Sequence, residues 1–140
     1  MDNIVFEKLW QDEELLEFKV VAHNEFIEVL QSCYIATDDL KRNAGKIIEY
    51  KNNYELECYL EFGKKEGNYT PAFSMLILPA DSHGHIKIEL DIEIADNEKR
   101  CHRCSFYIKT EIGMLDKFGN RLTAFEKLDI GGRISLIEIE

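Results

Sequence analysis

The segment Gly84-His85-Ile86-Lys87-Ile88-Glu89-Leu90-Asp91-Ile92-Glu93-Ile94-Ala95 carries the strongest structural signal in the chain. From His85 to Ile94, polar and apolar residues alternate without a break. Successive side chains of an extended strand point to opposite faces, so the isoleucines and the leucine share one face and the charged residues share the other. The segment therefore predicts a strand in a sheet that has one buried face and one face in water.

Similar alternation recurs along much of the chain. In Tyr54–Phe62 the even-numbered residues are apolar or aromatic, while Glu55, Glu57 and Glu61 lie on the opposite face. Apolar residues on both faces of Phe26–Ile35 indicate a strand that is covered on both sides. A tight turn at His23-Asn24 precedes that strand. The remaining expected strands are Leu16–Ala22, Phe73–Leu78, Cys104–Ile108 and Arg133–Ile139.

Two helices are expected, at about residues 38–50 and 111–127. Thr37 can cap the first helix, whose first turn carries two aspartates near the positive end of the helix dipole. Apolar residues at helical spacing form a stripe along each of the two segments. The segment Val5–Glu14 fits a helix as well as an extended strand.

The order of these elements indicates the fold class. Strands occur in runs rather than in strict alternation with helices, and the connections between them are short. This organisation favours an α+β fold, with a mainly antiparallel sheet of about six or seven strands and both helices packed on one face. A β-sandwich or barrel with helical additions is the alternative. No repeat or Pro/Ser-rich linker marks a boundary, so residues 1–140 are expected to form a single domain.

Composition excludes several classes of protein. The 140 residues are 45% hydrophobic and 31% charged, which is typical of a globular domain. Twenty-seven acidic and 17 basic residues give a net charge of −10, so a basic face for nucleic acid is not expected. No apolar run approaches the ~20 residues of a membrane span, and the first residues lack the pattern of a secretory signal. We therefore expect a cytoplasmic protein that makes no membrane contact.

A CxxC motif, Cys101-His102-Arg103-Cys104, is the strongest candidate for metal or redox chemistry. All four cysteines of the chain are expected to be reduced in the cytoplasm. A zinc site needs further ligands, and no second motif supplies them at the usual spacing. Cys101 and Cys104 on one strand would point to opposite faces. If Cys101 lay in the preceding turn, His83 and His85 could complete a site across the hairpin.

The segment Asp81-Ser82-His83-Gly84-His85 contains residue types found in hydrolase active sites. Catalytic triads, however, take their members from separate elements. Lying between Pro79 and a strand, the segment instead indicates a turn with Gly84 in a strained conformation. Paired carboxylates are expected on the solvent-exposed face of the sheet. General acid–base catalysis needs a carboxyl group whose pKa is raised by an apolar pocket, and that face offers none. Phosphate-loop, GxSxG and HExxH motifs do not occur, so the sequence predicts neither an enzyme nor a bound cofactor.

An acidic face is the most distinctive surface that the pattern predicts. It forms if the strands that begin near Tyr54 and Gly84 belong to one sheet, with Lys87, Tyr107 and Lys109 interrupting it. Such a face can steer a basic partner at a high rate. The simpler interpretation is a solvated face that keeps the protein soluble. The candidate partner-binding residues are Glu55, Glu57, Glu61, Glu89, Asp91 and Glu93.

Three features follow one another between Tyr54 and Phe125. They are Leu60-Glu61-Phe62, the turn and strand Asp81–Ile88 with its Gly-His-Ile unit, and the strand Cys104–Thr110 followed by a helix. Together they resemble the immunity proteins of the WapI type, which accompany wall-associated polymorphic toxins in bacteria. That family tends to have an acidic-Gln-Thr group where strand meets helix, and here the position reads Lys109-Thr110-Glu111. The resemblance implies a small cytosolic protein that binds and blocks a toxin domain, and it assigns no binding residue.

These observations lead to one functional prediction and two alternatives. The prediction is a non-enzymatic, immunity-like protein that binds and neutralises a cognate bacterial toxin domain, since many such domains are basic and complement an acidic inhibitor. The first alternative is a small metal-binding or redox protein that uses Cys101 and Cys104 with His83 and His85. The second is a structural module in which an exposed strand edge pairs two copies into a homodimer.

Overall fold

The computed structural model describes residues 2–63, 72–97 and 100–137, which form two α-helices and eight strands. A single 3-10 turn, Tyr50–Asn52, follows the first helix. In chain order the elements are β1 (Asn3–Gln11), β2 (Leu15–His23), β3 (Glu28–Ala36), α1 (Thr37–Glu49), β4 (Cys58–Phe62), β5 (Ala72–Ile77), β6 (His85–Asn97), β7 (Arg100–Glu111), α2 (Ile112–Phe125) and β8 (Arg133–Ser135).

The strands divide into two antiparallel sheets of four. Sheet I has the order β3-β2-β1-β8, and sheet II has the order β4-β5-β6-β7. This confirms the expected α+β class with antiparallel pairing, although the strands form two sheets rather than one. Two sheets that each have one apolar face can bury those faces against one another. Alternation along a strand predicts which of its faces is buried, but it does not specify which strand lies beside it.

Both sheets and both helices share one cluster of buried side chains. Phe6 of β1 lies where these layers meet. Its ring centroid is 4.7–6.1 Å from five other rings, which come from both sheets and α2: Phe18, Phe62, Phe73, Phe118 and Phe125. Edge-to-face and tilted aromatic contacts of this kind hold the layers together beyond simple area burial.

The two helices lie across the sheets rather than on one of them. α1 contacts β3 and β4, while α2 contacts β7 and β8, so each helix touches both sheets. The observed helix bounds agree with the expected ones to within two residues. Thr37 is the first helical residue, and the N-cap position belongs to Ala36, which makes no side-chain capping bond. The expected capping role of Thr37 is therefore wrong.

Several expected strands differ from the observed ones. In the ambiguous segment Val5–Glu14, residues 5–11 are extended and supply most of β1, and residues 12–14 form the turn to β2. β3 is an edge strand whose outer face exposes Leu30 and Tyr34, so the expectation that it is covered on both sides is wrong. The last strand, expected over Arg133–Ile139, ends at Ser135, and residues 138–139 lie outside the described residues.

One buried cation has a role that the alternating pattern does not reveal. Lys8 of β1 is buried, and its Nζ donates hydrogen bonds to the carbonyls of Glu126 (2.7 Å) and Leu128 (2.6 Å). These carbonyls follow the C-terminal end of α2, where a positive charge is favourable. Lys8 thus ties β1 to the end of α2.

Among the described residues, no helix has both the length and the apolar character needed to cross a bilayer.

Candidate partner-binding face

The outer face of sheet II is built by regular alternation. On β6 the residues Ile86, Ile88, Leu90 and Ile92 are buried, and the residues between them point outward. Cross-strand register then arranges the outward side chains in rows. From one end of the face to the other, the rows are Lys87 with Lys109; Tyr59, Leu76, Glu89 and Tyr107; Glu61, Ser74, Asp91 and Ser105; and Ala72, Glu93 and Arg103.

Four of the six predicted acidic residues share this face. Glu61 of β4 is exposed, while Glu89, Asp91 and Glu93 of β6 are half-buried. Residues two apart on a strand are about 7 Å apart, and adjacent strands are about 5 Å apart, so the four carboxylates fall within one small area. The interaction energy between such charges depends on salt, because the screening length is about 8 Å at physiological ionic strength.

Glu55 and Glu57 do not lie on the strand where the sequence places them. β4 begins at Cys58, and both glutamates are exposed in the turn before it. Leu56 N–H bonds to the carbonyl of Asn53 (2.9 Å), and this closed turn interrupts the alternation. Alternation along the segment predicts that Tyr54 and Leu56 point into the core. Because both lie in the turn, their side chains are exposed instead.

Basic residues divide the face into regions of opposite sign. Arg103 of β7 makes a two-bond ion pair with Asp91, from Nε to Oδ1 at 3.0 Å and from Nη2 to Oδ2 at 2.5 Å. Lys87 and Lys109 are directly opposite one another on β6 and β7, at one end of the acidic area. The centre of the face is therefore acidic. The two lysines lie at one end, and towards the other end Arg103 neutralises the carboxylate of Asp91.

Two tyrosines on this face were not among the sequence candidates. Tyr59 and Tyr107 are half-exposed at the two sides of the Glu89 row. Tyr59 Oη donates a hydrogen bond to Glu61 Oε1 (2.9 Å), and Tyr107 Oη donates to Glu89 Oε2 (3.2 Å). Tyrosine is enriched in protein interfaces because it combines apolar area with a polar tip. Tyr59 and Glu61 lie two apart on one strand, whereas only the register between β6 and β7, which the sequence does not contain, brings Tyr107 beside Glu89.

A turn of sheet I is attached to the edge of the face. Asn24 Nδ2 donates to the carbonyl of Tyr107 (2.8 Å), and Asn24 Oδ1 accepts from the backbone N–H groups of Phe26 (2.8 Å) and Ile27 (3.0 Å). The turn after β2 that the sequence predicts is thus present. Phe26 lies in it rather than in the following strand, and its side chain is 82% exposed. The turn therefore places an exposed apolar side chain next to the edge of the acidic face.

The segment from Asp81 to His85 is a turn, as the sequence predicts. Gly84 N–H bonds to the carbonyl of Asp81 (3.1 Å), and Gly84 has a φ of 80°, which favours glycine. Asp81 Oδ1 accepts from the backbone N–H groups of His85 and His83, and these bonds lower the pKa of the Asp81 carboxyl. The carboxylate thus stabilises the turn.

The structure separates the residues of the proposed metal site. Cys104 pairs with Ile92 across the β6–β7 hairpin, whereas His85 pairs with Glu111 at the far end. Seven residues of extended chain separate the two positions, which corresponds to about 23 Å. Cys101 lies still further from His85, opposite Ala95. Within the described ranges, no group of three or more His, Cys, Asp or Glu residues could hold a metal ion.

The surroundings of Cys33 and Cys58 oppose activation of their thiols. Cys33, Cys58 and Cys104 are free cysteines. Burial, followed by the nearby charge of Glu17, raises the pKa of Cys33, and burial also raises that of Cys58. A raised pKa keeps a thiol protonated and unreactive at neutral pH.

A cleft of about 680 Å³ lies at the end of sheet II, next to the first turn of α2. Lys87 and Lys109 border it from the outer face of the sheet, whereas the buried residues Ile86 and Thr110 border it from the inner face. Because neighbouring strand residues point to opposite faces, the charged groups and the Thr110 hydroxyl do not converge on one point. Three titratable side chains do meet at its rim, where His85 Nδ1 lies 3.3 Å from Asp81 Oδ2 and His85 Nε2 lies 3.9 Å from Glu111 Oε1.

Comparison of the chain with family models, with curated proteins and with solved structures found no match in any of the three.

Proposed function

We propose that this chain is a non-enzymatic protein that binds a basic partner protein through the outer face of sheet II. The resemblance to WapI-type immunity proteins makes a bacterial toxin domain the proposed partner, with neutralisation of that domain as the outcome. The observation that carries the proposal is the clustering of Glu61, Glu89, Asp91 and Glu93 on one face, next to two half-exposed tyrosines.

Electrostatics supports this choice of partner. The chain carries a net charge of −10, so its long-range field attracts a basic protein and repels an acidic one. On sheet II that attraction is directed at Glu61, Glu89 and Glu93, because Arg103 neutralises Asp91 and the two lysines lie at one end. Charge complementarity of this type raises the association rate and selects between partners more than it raises affinity.

The distribution of charge and aromatic area on the face supports specific docking. Tyr59, Tyr107 and the exposed ring of Phe26 offer apolar contact area around the carboxylates. The row formed by Lys87 and Lys109 makes the two ends of the face electrostatically different. A partner with a basic centre and an acidic group at one end would therefore bind in one orientation.

The first experiment identifies the partner from the genes beside this reading frame. We expect a neighbouring gene for a large secreted chain that ends in a compact basic domain. That domain, produced alone, should inhibit bacterial growth, and co-expression of this protein should restore growth through a complex that can be purified. Neighbouring genes without such a chain, or a domain that does not bind, would contradict the proposal.

Charge reversal then tests the face itself. The variant Glu61→Lys/Glu89→Lys/Glu93→Lys changes the net charge from −10 to −4, and so does the control Glu13→Lys/Glu14→Lys/Asp129→Lys, whose exposed sites lie in the β1–β2 turn and in the turn before β8. We expect the first variant to slow association by about tenfold or more and to weaken its dependence on salt. The control should stay closer to the wild type, and equal effects of the two variants would exclude the face as the binding site.

A further inference from the structure

Three of the four strands at the sheet edges are protected by side chains from elsewhere in the molecule. An unprotected edge presents free N–H and C=O groups that can pair with another strand, so natural proteins cover or interrupt such edges. The protecting bonds run from Asn43 Nδ2 to the Glu61 carbonyl on β4 (2.8 Å), from Asn24 Nδ2 to the Tyr107 carbonyl on β7 (2.8 Å), and from Arg121 Nη1 to the Ser135 carbonyl on β8 (2.9 Å).

The edge formed by β3 has no such protection. In the part of the chain that the structure describes, the backbone of this nine-residue strand is hydrogen-bonded only to β2. The strand contains no lysine or proline, and Glu28 is its single charged residue. Leu30 is 61% exposed and Tyr34 is 43% exposed on its outer face. A long, nearly uncharged and partly apolar edge is the type that favours strand pairing.

We propose that the β3 edges of two copies of this chain pair in antiparallel fashion and form a homodimer with a continuous eight-stranded sheet. A two-fold axis at Ser32, the midpoint of the strand, would align the two copies along their full length. Leu30 of one copy would then be opposite Tyr34 of the other, a favourable aliphatic–aromatic pair. Each Glu28 would be opposite Ala36, so no two like charges would face one another.

Charge favours a second copy as the occupant of this edge. Two chains of net charge −10 repel one another, so self-association needs a surface strip that carries almost no charge of its own. β3 is such a strip, and a strongly basic partner would find only Glu28 on it. Dimerisation through sheet I leaves the acidic face of sheet II open, so this inference stands apart from the proposed function.

The test is the mass of the protein in solution, measured by sedimentation and light scattering over about 1 µM to 1 mM. We expect the mass to rise with concentration towards twice the 16.3 kDa of one chain, and to rise further when salt screens the repulsion. The variant Leu30→Lys/Tyr34→Lys should remain monomeric. The control Leu56→Lys/Ile130→Lys changes the net charge equally at sites 64% and 63% exposed and should still dimerise.

Hydrogen exchange on the unmodified chain locates the contact independently of any variant. Between dilute and concentrated protein, the amides of β3 that point away from β2 should gain protection, while those of β4, β7 and β8 should not change. A wild-type protein that stays monomeric throughout the range, or a dimer whose gain in protection falls outside β3, would overturn the proposal. Persistence of the dimer in Leu30→Lys/Tyr34→Lys would also overturn it.

Discussion

Tyrosine hydroxyls and carboxylates form hydrogen-bonded pairs on the outer face of sheet II, and these pairs shift the acidity of the tyrosines. The negative charge of Glu89, followed by its hydrogen bond, raises the pKa of Tyr107 above the ordinary value of 10.0. Burial, followed by the hydrogen bond to Glu61, raises the pKa of Tyr59. Both hydroxyls therefore remain protonated and act as donors over the whole physiological range.

Replacing Glu89 with glutamine should lower the pKa of Tyr107 towards 10.0, because the substitution removes the nearby negative charge. An NMR titration of labelled tyrosine rings measures the change, with Glu57→Gln as a control away from the face. Because folding raises the pKa of Tyr107, the protonated hydroxyl stabilises the folded state, and this stabilisation is fully present below pH 10. It is lost as the pH rises through the folded-state pKa. An unchanged titration in Glu89→Gln would contradict the assigned cause.

Lys8 shows why single residues are the hardest part of the fold to predict. It occupies an inward position of β1, where alternation predicts an apolar side chain. Its ammonium group is tolerated there because the carbonyls of Glu126 and Leu128 accept hydrogen bonds from Nζ. These partners are more than a hundred residues away in the sequence, so no local pattern contains them.

At the scale of elements, the crossing of α1 and α2 depends on Gly119. A Cβ atom at this position would lie 2.8 Å from Ile47 Cγ2 and 2.9 Å from Ile48 Cγ1, closer than carbon atoms can approach without a shift. Glycine in the middle of a helix costs about 1 kcal/mol relative to alanine. The close approach of the helices compensates for that cost.

Gly119→Ala should lower the free energy of unfolding by about 1–3 kcal/mol, because overpacking at the crossing outweighs the gain in helix propensity. Gly45→Ala in α1 is the matched control, since nothing lies within 4 Å of the added Cβ atom. It should raise stability by about 0.5–1 kcal/mol. Urea unfolding of both variants measures the difference, and stabilisation by Gly119→Ala would contradict the packing seen between the helices.

β4 shows how a neighbouring element can override a clear local pattern. Residues 54–62 alternate regularly, yet the strand begins at Cys58. The 3-10 turn after α1 comes first, and Tyr50 within it donates from Oη to the Leu78 carbonyl (2.6 Å). The Ala80 N–H also bonds to the Tyr54 carbonyl (2.8 Å). These long-range bonds fix Tyr54 and its neighbours in a turn.

At the scale of the whole molecule, Phe6 joins the two sheets and α2 into one core. Phe6→Ala should lower the free energy of unfolding by about 3–5 kcal/mol, because it leaves a cavity among the surrounding phenylalanine rings. Phe26→Ala removes the same atoms from a side chain that is 82% exposed and should change stability by less than about 0.5 kcal/mol.

Denaturant titrations followed by far-UV circular dichroism and by the fluorescence of Trp10, the single tryptophan, measure both effects. The two signals should coincide in the wild type, since the sheets share one cluster of buried side chains. Separate transitions, or equal costs for Phe6→Ala and Phe26→Ala, would contradict a common core.

Local sequence patterns were sufficient to predict the α+β class, the antiparallel pairing, both helices to within two residues, the turn at Asp81–His85 and the acidity of the outer face. Each of these depends on residues close together in the chain, where the periods of strand and helix and the conformational preference of glycine act locally. Three features could be read only from the folded chain: the strands form two sheets, Glu55 and Glu57 lie off the acidic face, and β3 has an open edge. Those features depend on which strands lie side by side, and long-range packing sets that choice.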